Sequence, residues 1–119
     1  GTISGSDNLL FQNNILKLGG PIKLGRTIVT ASYSASITDF FIGADSTQTA
    51  LQVTLADASD LSNGQMLVIK DEGGVANSNN ITVAASGAQT IDGQNQVILE
   101  SPYASIQLYC NGNNKYFIF

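Results

Sequence analysis

The sequence predicts an all-β domain, and three observations support that prediction. β-Branched and aromatic residues recur in short blocks separated by Gly, Asn, Asp and Ser, as expected for short strands joined by turns. Long runs of helix-forming residues are missing. A length of 119 residues and a hydrophobic content of 43% allow one core without disulfides. The spacing of the blocks favours a small antiparallel β-sandwich of the jelly-roll kind.

The chain opens with a miniature repeat, in which residues 16–19, Leu-Lys-Leu-Gly, return as Ile-Lys-Leu-Gly at 22–25. One copy is too small to bury its apolar residues against itself. A plain interpretation makes residues 9–26 an amino-terminal hairpin packed on its own domain, with Gly-Gly-Pro at 19–21 as the turn. That interpretation does not explain why the lysines recur in register.

Alternating apolar residues and turn dipeptides place the strands that follow. The predicted strands cover residues 27–33, 37–43, 49–55, 66–71, 80–84, 88–91, 96–100, 103–110 and 115–119. The nearly continuous apolar run at 66–71 indicates a central strand. In the connector before it, Asp57 or Ser59 is suited to cap a single helical turn. The tight turns are Asn-Gly at 63–64, Asp-Gly at 92–93 and Asn-Gly at 111–112.

The final aromatic strand, residues 116–119, would be an aggregation hazard as an open edge, so we expect it to be paired within a sheet or covered by another subunit. The single cysteine, Cys110, shares an alternating face with Ile106 and Leu108 and is expected to be a buried small hydrophobe. The chain does not begin with methionine, so we expect it to be the end of a longer protein.

Charge and composition argue against several classes of function. The net charge is -4, and the five basic residues are scattered, which is unlike the clustered footprint of a nucleic-acid-binding protein. No apolar run is long enough to span a bilayer or to form a signal peptide, so we predict no membrane insertion. The chain has no histidine, which removes the Ser-His-Asp triad and most general acid/base schemes.

Carboxylates and glycines give no strong sign of a catalytic, metal or cofactor site. The densest carboxylates are Asp57, Asp60, Asp71 and Glu72. They lack the spacing of a calcium loop and are expected to be solvated turn residues. Glu72 opens a Gly-Gly pair, but no Lys-Ser/Thr follows it as in a phosphate-binding loop. We predict a protein that is not an enzyme, with no metal and no cofactor.

An ordered set of short motifs resembles a known family. The set is Ile-Lys-Asp at 69–71 with Gly-Gly at 73–74, Asn-Ile-Thr-Val at 80–83, Thr-Ile-Asp-Gly at 90–93, Ser-Pro-Tyr-Ala-Ser at 101–105, and the Asn-Gly turn at 111–112 before an aromatic strand. In order and spacing it is similar to the domain at the C-terminal ends of phage tail fibres and of related trimeric adhesive fibres of bacteria, including predatory ones.

This resemblance implies a homotrimeric β-sandwich tip at residues 27–119, carried on a virion tail fibre or a bacterial cell surface, that recognises a host or prey cell-surface component such as a glycan. It also offers a second interpretation of the opening repeat, because apolar repeats in trimeric fibres pack around a shared threefold axis. Residues 1–26 would then be the end of the stalk. The residues expected to point inward are Leu16, Leu18, Ile22 and Leu24.

For recognition, asparagine amides can bond sugar hydroxyls, and aromatic rings can stack on sugar rings. The candidate ligand-binding residues are Asn77, Asn79, Asn80, Tyr103, Asn111, Asn113 and Asn114, and the other tyrosines, Tyr33, Tyr109 and Tyr116, share that chemistry. Two competing functions remain at this point: a purely structural trimerisation or capping module with no receptor, and an enzyme acting on a surface polysaccharide.

Overall fold

The structure, a computed structural model, describes residues 8–119. This part of the chain is nearly all β, with short strands joined by turns and one 3₁₀ turn at Ala58–Asp60. In chain order the strands are β1 (Leu9–Gln12), β2 (Ile15–Leu18), β3 (Arg26–Val29), β4 (Tyr33–Ser34), β5 (Phe41–Ala44), β6 (Leu51–Thr54), β7 (Met66–Asp71), β8 (Ile81–Ala84), β9 (Thr90–Ile91), β10 (Gln96–Leu99), β11 (Ser105–Cys110) and β12 (Lys115–Ile118). Since that turn has three residues, the described chain holds no helix able to cross a membrane.

The strands form two facing sheets and a separate hairpin. The larger sheet has six strands in the order β3-β5-β7-β11-β12-β9, and the smaller has four in the order β10-β8-β6-β4. From β3 to β10 the chain passes alternately between the two sheets, so odd-numbered strands lie in the larger and even-numbered strands in the smaller. The hairpin of β1 and β2 belongs to neither sheet.

The predicted antiparallel sandwich is wrong in the direction of its strands, because both sheets are mixed. β3, β5 and β7 are parallel neighbours, as are β4, β6 and β8, and β9 is parallel to β12. A chain that crosses to the facing sheet and back returns in its original direction, so successive strands of one sheet run parallel. Side-chain alternation has the same period in parallel and antiparallel strands and does not reveal this direction.

The core lies between the two sheets. The larger sheet contributes Ile42, Ile69 and Leu108, and the smaller contributes Val53 and Val83, all with no exposed surface. Cys110 is buried on the same face as Ile106 and Leu108, as predicted.

The last strand is part of this core. Tyr116, in β12, is completely buried, and its hydroxyl donates to the Ala56 carbonyl oxygen at 2.7 Å. Burial raises the pKa of this tyrosine. β12 pairs with β11 on one side and β9 on the other, so the aromatic strand is paired within a sheet as expected.

Several local predictions are confirmed and one strand is divided. β7 spans residues 66–71 and is the third of six strands in its sheet. Asp57 caps the 3₁₀ turn by accepting the backbone N–H of Ser59 at 2.9 Å. The strand predicted at 27–33 is split into β3 and β4, because the chain leaves the larger sheet after Val29 and enters the smaller one at Tyr33.

The strand directions define two ends of the sandwich. The hairpin end is where the chain enters β3, and it also carries the turn 111–114, which follows the antiparallel strand β11. The far end carries the loops 45–50 and 72–80, which follow β5 and β7, and the loop 100–104, which precedes β11. The hairpin and the far-end loops therefore lie at opposite ends of the domain.

Candidate functional site

The β1–β2 hairpin places four apolar side chains on one of its faces. Leu9 pairs with Leu18 and Phe11 with Leu16, and these four residues are called the hairpin apolar face. The opposite face carries Gln12 and Lys17 together with two further apolar residues, Leu10 and Ile15. Side chains directly across an antiparallel pair lie on the same side, so the register alone creates this division.

The hairpin turn consists of two asparagines. Asn13 and Asn14 have φ of 54° and 63°, which is the backbone of a two-residue type I′ turn. The interpretation that placed the turn at 19–21 is wrong, because Gly19 already follows the second strand and its N–H bonds back to the Asn8 carbonyl oxygen. Asparagine tolerates a positive φ better than most residues, which explains why the chain reverses at 13–14.

Three of the four residues of the hairpin apolar face are exposed, and Leu9 is half-buried. Phe11 is 72% exposed, Leu16 58% and Leu18 40%, and every residue from 10 to 26 is exposed. Within residues 8–119, the hairpin is therefore not packed on the sandwich, contrary to the plain interpretation of the repeat. An isolated two-stranded hairpin is at best marginally stable in water, so this face needs a cover from elsewhere.

The molecule is correspondingly elongated. Its extents are 48 × 29 × 24 Å and its radius of gyration is 16.0 Å. A compact domain of this length would have a radius of gyration of about 13.5 Å. Both observations fit a hairpin that stands off the sandwich.

The structure brings together only part of the predicted inward set. Leu16 and Leu18 share a hairpin face, whereas Ile22 and Leu24 follow the hairpin in an exposed segment without regular strand structure. Leu9 and Phe11 belong to the same face and were missed by the sequence prediction. The signal that could have found them is the apolar run 9–11 shortly before the Asn-Asn dipeptide, which is typical of a hairpin strand.

At the far end, the buried carboxylate of Asp71 organises two loops. It accepts backbone N–H groups from Gly74 at 2.9 Å, Ala76 at 3.0 Å and Tyr103 at 3.0 Å. Asp71 has no exposed surface, so the expectation that it would be a solvated turn residue is wrong. A buried carboxylate with three N–H donors is fully compensated, and here it ties loop 72–80 to loop 100–104.

Tyr103 presents its ring to solvent at this end. The side chain is 61% exposed, although its backbone has a φ of 61°, a conformation that bulky residues seldom adopt. Its ring lies directly over Gly74, where an added Cβ would come within 2.5 Å of the ring carbon Cζ. Lys70 donates to the Tyr103 carbonyl oxygen, and its ammonium lies 5.9 Å from the ring centroid. The result is an aromatic ring held in place next to a positive charge.

The asparagines of loop 72–80 differ in whether their side-chain amides are used in hydrogen bonds within the chain. The Asn79 side-chain amide donates to the backbone carbonyl oxygen of Ser46 at 2.8 Å. The backbone carbonyl oxygen of Asn79 accepts a hydrogen bond from the Ser46 hydroxyl, also at 2.8 Å. Asn80 donates its amide to the Ala76 carbonyl oxygen at 2.7 Å. These two amides hold the loop in shape, whereas Asn77 is exposed.

The predicted ligand-binding residues Asn111, Asn113 and Asn114 lie at the hairpin end. The side-chain oxygen of Asn111 accepts the backbone N–H groups of Asn113, Asn114 and Lys115 at 2.9, 2.9 and 3.0 Å, so this residue builds the turn. Asn113 and Asn114 are exposed. Because this turn and Tyr103 occupy opposite ends of β11, the predicted ligand-binding residues do not form one site.

The remaining tyrosines have different surroundings. Tyr116 is buried, so it is removed from the candidates for ligand contact. Tyr33 donates its hydroxyl to Asp39 at 2.7 Å, and that hydrogen bond raises the pKa of Tyr33. Tyr109 is 39% exposed on the outer face of the larger sheet, with its ring centroid 5.3 Å from that of Phe117.

Within residues 8–119, no group of three or more His, Cys, Asp or Glu side chains is arranged to hold a metal ion. A comparison with models of known protein families found no match for the chain, and a search of curated proteins also found none. Information on function therefore comes from the hairpin and from the far-end loops.

Proposed function

We propose that this protein is a receptor-binding or adhesion module at the C-terminal end of a trimeric fibre, on a virion or a bacterial cell surface. Three copies join through the hairpin apolar face, and the far-end loops meet a glycan or another component of a host or prey cell surface. The observation that carries the proposal is the placement of an exposed apolar hairpin and an organised aromatic loop site at opposite ends of one sandwich.

The need for assembly follows from the exposure of the hairpin. Burying an apolar side chain of this size stabilises by about 1.5–3 kcal/mol, and Phe11, Leu16 and Leu18 are largely left in water in the single chain. Around a threefold axis each copy covers the face of its neighbours, as in other fibrous assemblies. Lys17 lies on the opposite hairpin face and stays in water in that arrangement.

Recognition at the far end relies on the chemistry around Tyr103. An exposed ring offers a stacking surface for the apolar face of a sugar, the Lys70 ammonium lies beside it, and Asn77 supplies an exposed amide. Such a site binds weakly alone. Three copies at the tip of one fibre add avidity without further contacts.

Molar mass in solution tests the assembly. Light scattering on the purified chain is expected to give the mass of three copies. Leu18→Asp should weaken the trimer strongly, because it places an unpaired charge in the shared apolar face. Lys17→Asp is the matched control, one residue away on the other face, and it should leave the mass unchanged. A wild-type monomer, or equal effects of the two variants, would contradict the arrangement.

Binding to whole cells or to a glycan array tests recognition. The purified trimer is expected to bind, and a trimer that binds no cell and no glycan would favour a purely structural trimerisation or capping module. One observation supports that second candidate: the side chains of Asn79, Asn80 and Asn111 are all used in internal hydrogen bonds. The two measurements together separate the functions, because both candidates require the trimer and only one requires binding.

A further inference from the structure

The outer face of the six-stranded sheet carries a group of six apolar side chains, with the polar Gln107 between Val68 and Phe119. Strands β5, β7, β11 and β12 contribute them, and they point away from the core because their neighbours in each strand point into it. This aromatic sheet face consists of Phe41, Met66, Val68, Tyr109, Phe117 and Phe119.

The Tyr109 ring packs against those of Phe117 and Phe119, and four of the six side chains are exposed. Met66 is opposite Tyr109, which is opposite Phe117, and the ring centroids of Tyr109 and Phe119 are 5.5 Å apart. Phe119 is 56% exposed, Met66 43% and Phe41 39%. With aromatic side chains of about 150–250 Å² each, the exposed area of this face is on the order of 400 Å², which is as large as the biggest apolar patch on a typical monomer.

The other sheet shows what a solvent-facing surface of this molecule looks like. Gln52, Thr82 and Gln96 point outward from the four-stranded sheet, together with one exposed apolar residue, Ile98. The larger sheet differs, because Phe41, Met66, Tyr109 and Phe119 are exposed on its outer face. The two outer faces therefore differ in composition, and the aromatic one has the composition of an interface core.

Charges at the edge of this face indicate the kind of partner. Three of the five basic residues of the chain, Arg26, Lys70 and Lys115, point outward from this sheet, although the net charge of the chain is -4. Glu72 is bound by the Arg26 guanidinium, with Nε 3.1 Å from Oε2. Beside this ion pair lies a shallow pocket of about 300 Å³ whose lining includes Phe41 and Val68.

We infer that the aromatic sheet face is covered by a second copy of this chain in the trimer, an inference that rests on the proposed assembly. In a threefold ring, a surface of one copy meets a different surface of the next. A face with basic edges on an acidic chain is complementary to the remaining, acidic surface of its neighbour.

Chain connectivity brings this face close to the hairpins. β3 is an edge strand of the same sheet, and only residues 19–25 separate it from β2. Seven residues span at most about 24 Å, so hairpins that meet at an axis hold three copies of this sheet near one another. The aromatic sheet face and the hairpin apolar face together approach the roughly 800 Å² per partner of a stable interface.

Two matched substitutions test this inference in the full chain. Met66→Asp places a charge in the aromatic sheet face, and Ile98→Asp places one on the outer face of the other sheet, where Ile98 is similarly exposed at 41%. Light scattering is expected to show that the Met66→Asp trimer dissociates at a concentration at least about tenfold higher than the wild-type trimer. The reason is that the new carboxylate loses its hydration when the trimer assembles. Ile98→Asp should assemble like wild type, and circular dichroism verifies that both variants fold.

A second measurement uses the wild-type protein. Met66 is the only methionine, so its oxidation by peroxide is read directly as the gain of one oxygen in the mass of the protein. If a copy covers Met66, oxidation in the trimer is at least about tenfold slower than in the urea-unfolded chain, since susceptibility follows exposure. This oxidation rate tests whether a second copy covers Met66 even if Met66→Asp fails to fold.

The outcomes distinguish this inference from the proposed function. A wild-type trimer in which Met66→Asp assembles like Ile98→Asp, or in which Met66 oxidises nearly as fast as in the unfolded chain, overturns the inference and leaves the hairpin trimer standing. A wild-type chain that is monomeric at every concentration overturns both.

Discussion

At the scale of single residues, the far end depends on the carboxylate of Asp71. Asp71→Asn is expected to destabilise the fold by about 2–3 kcal/mol, because an amide offers one acceptor oxygen and a donor in place of two acceptors, leaving a buried N–H unpaired. Urea unfolding measures the loss, and Asp60→Asn, at an exposed position, is the control with little expected effect. Equal stability of the two variants would show that the three N–H bonds contribute little.

Substitution of Tyr103 can separate the effect of its backbone conformation on stability from the effect of its ring on binding. Tyr103→Gly removes the ring and relieves a positive φ that glycine adopts freely, so stability should stay within about 1 kcal/mol of wild type. Binding to cells or glycans should be lost, because the stacking surface is gone. Asn113→Ala at the opposite end serves as the control and should bind normally. Unchanged binding by Tyr103→Gly would remove this residue from the proposed site.

At the scale of elements, the hairpin turn controls how readily the apolar face forms. Asn14→Gly creates Asn-Gly, the dipeptide favoured in type I′ turns, and should strengthen the trimer. Asn14→Val places a β-branched residue at a φ of 63°, which costs about 1–2 kcal/mol, and should weaken it. The dissociation constant of the trimer, measured by light scattering on dilution, should change in opposite directions for the two variants. A dissociation constant that is the same for both variants would mean that the hairpin is not part of the assembly.

At the scale of the whole molecule, carboxylates link stability to pH. The hydroxyl of Ser59 donates to Asp57 and lowers the pKa of that carboxyl, and the Arg26 guanidinium lowers the pKa of Glu72. Groups with a depressed folded pKa stabilise above their ordinary pKa and lose that contribution as the pH falls through the folded value. The thermal midpoint should therefore be steady from about pH 7 to 5 and fall below about pH 4.

Asp57→Asn is the matched variant for this pH dependence. It keeps a side-chain oxygen as an acceptor for Ser59 but no longer titrates, so its thermal midpoint should fall less steeply on acidification than that of wild type. A wild-type midpoint that is unchanged or rises between pH 5 and 3 would contradict the assignment.

Several features were predictable because they depend on neighbours in sequence. The extent of β7, the cap at Asp57, the Asp-Gly turn at 92–93 and the burial of Cys110 follow from side-chain alternation and turn chemistry within a few residues. The candidate site was predictable only in part. Tyr103 is exposed as a binding residue must be, whereas Asn79 and Asn111 proved to be structural.

The amino-acid sequence by itself determined that the domain is all β, where most strands lie and where the chain turns, because these properties depend on local backbone preferences and on the period of the side chains. Only the tertiary structure decided that the sheets are mixed, that Asp71 is buried beneath two loops, that Tyr103 and Asn111 lie at opposite ends, and that one sheet face is aromatic. Each of these depends on contacts between residues far apart in the chain, and alternation along one strand carries no record of which strand lies beside it or in which direction.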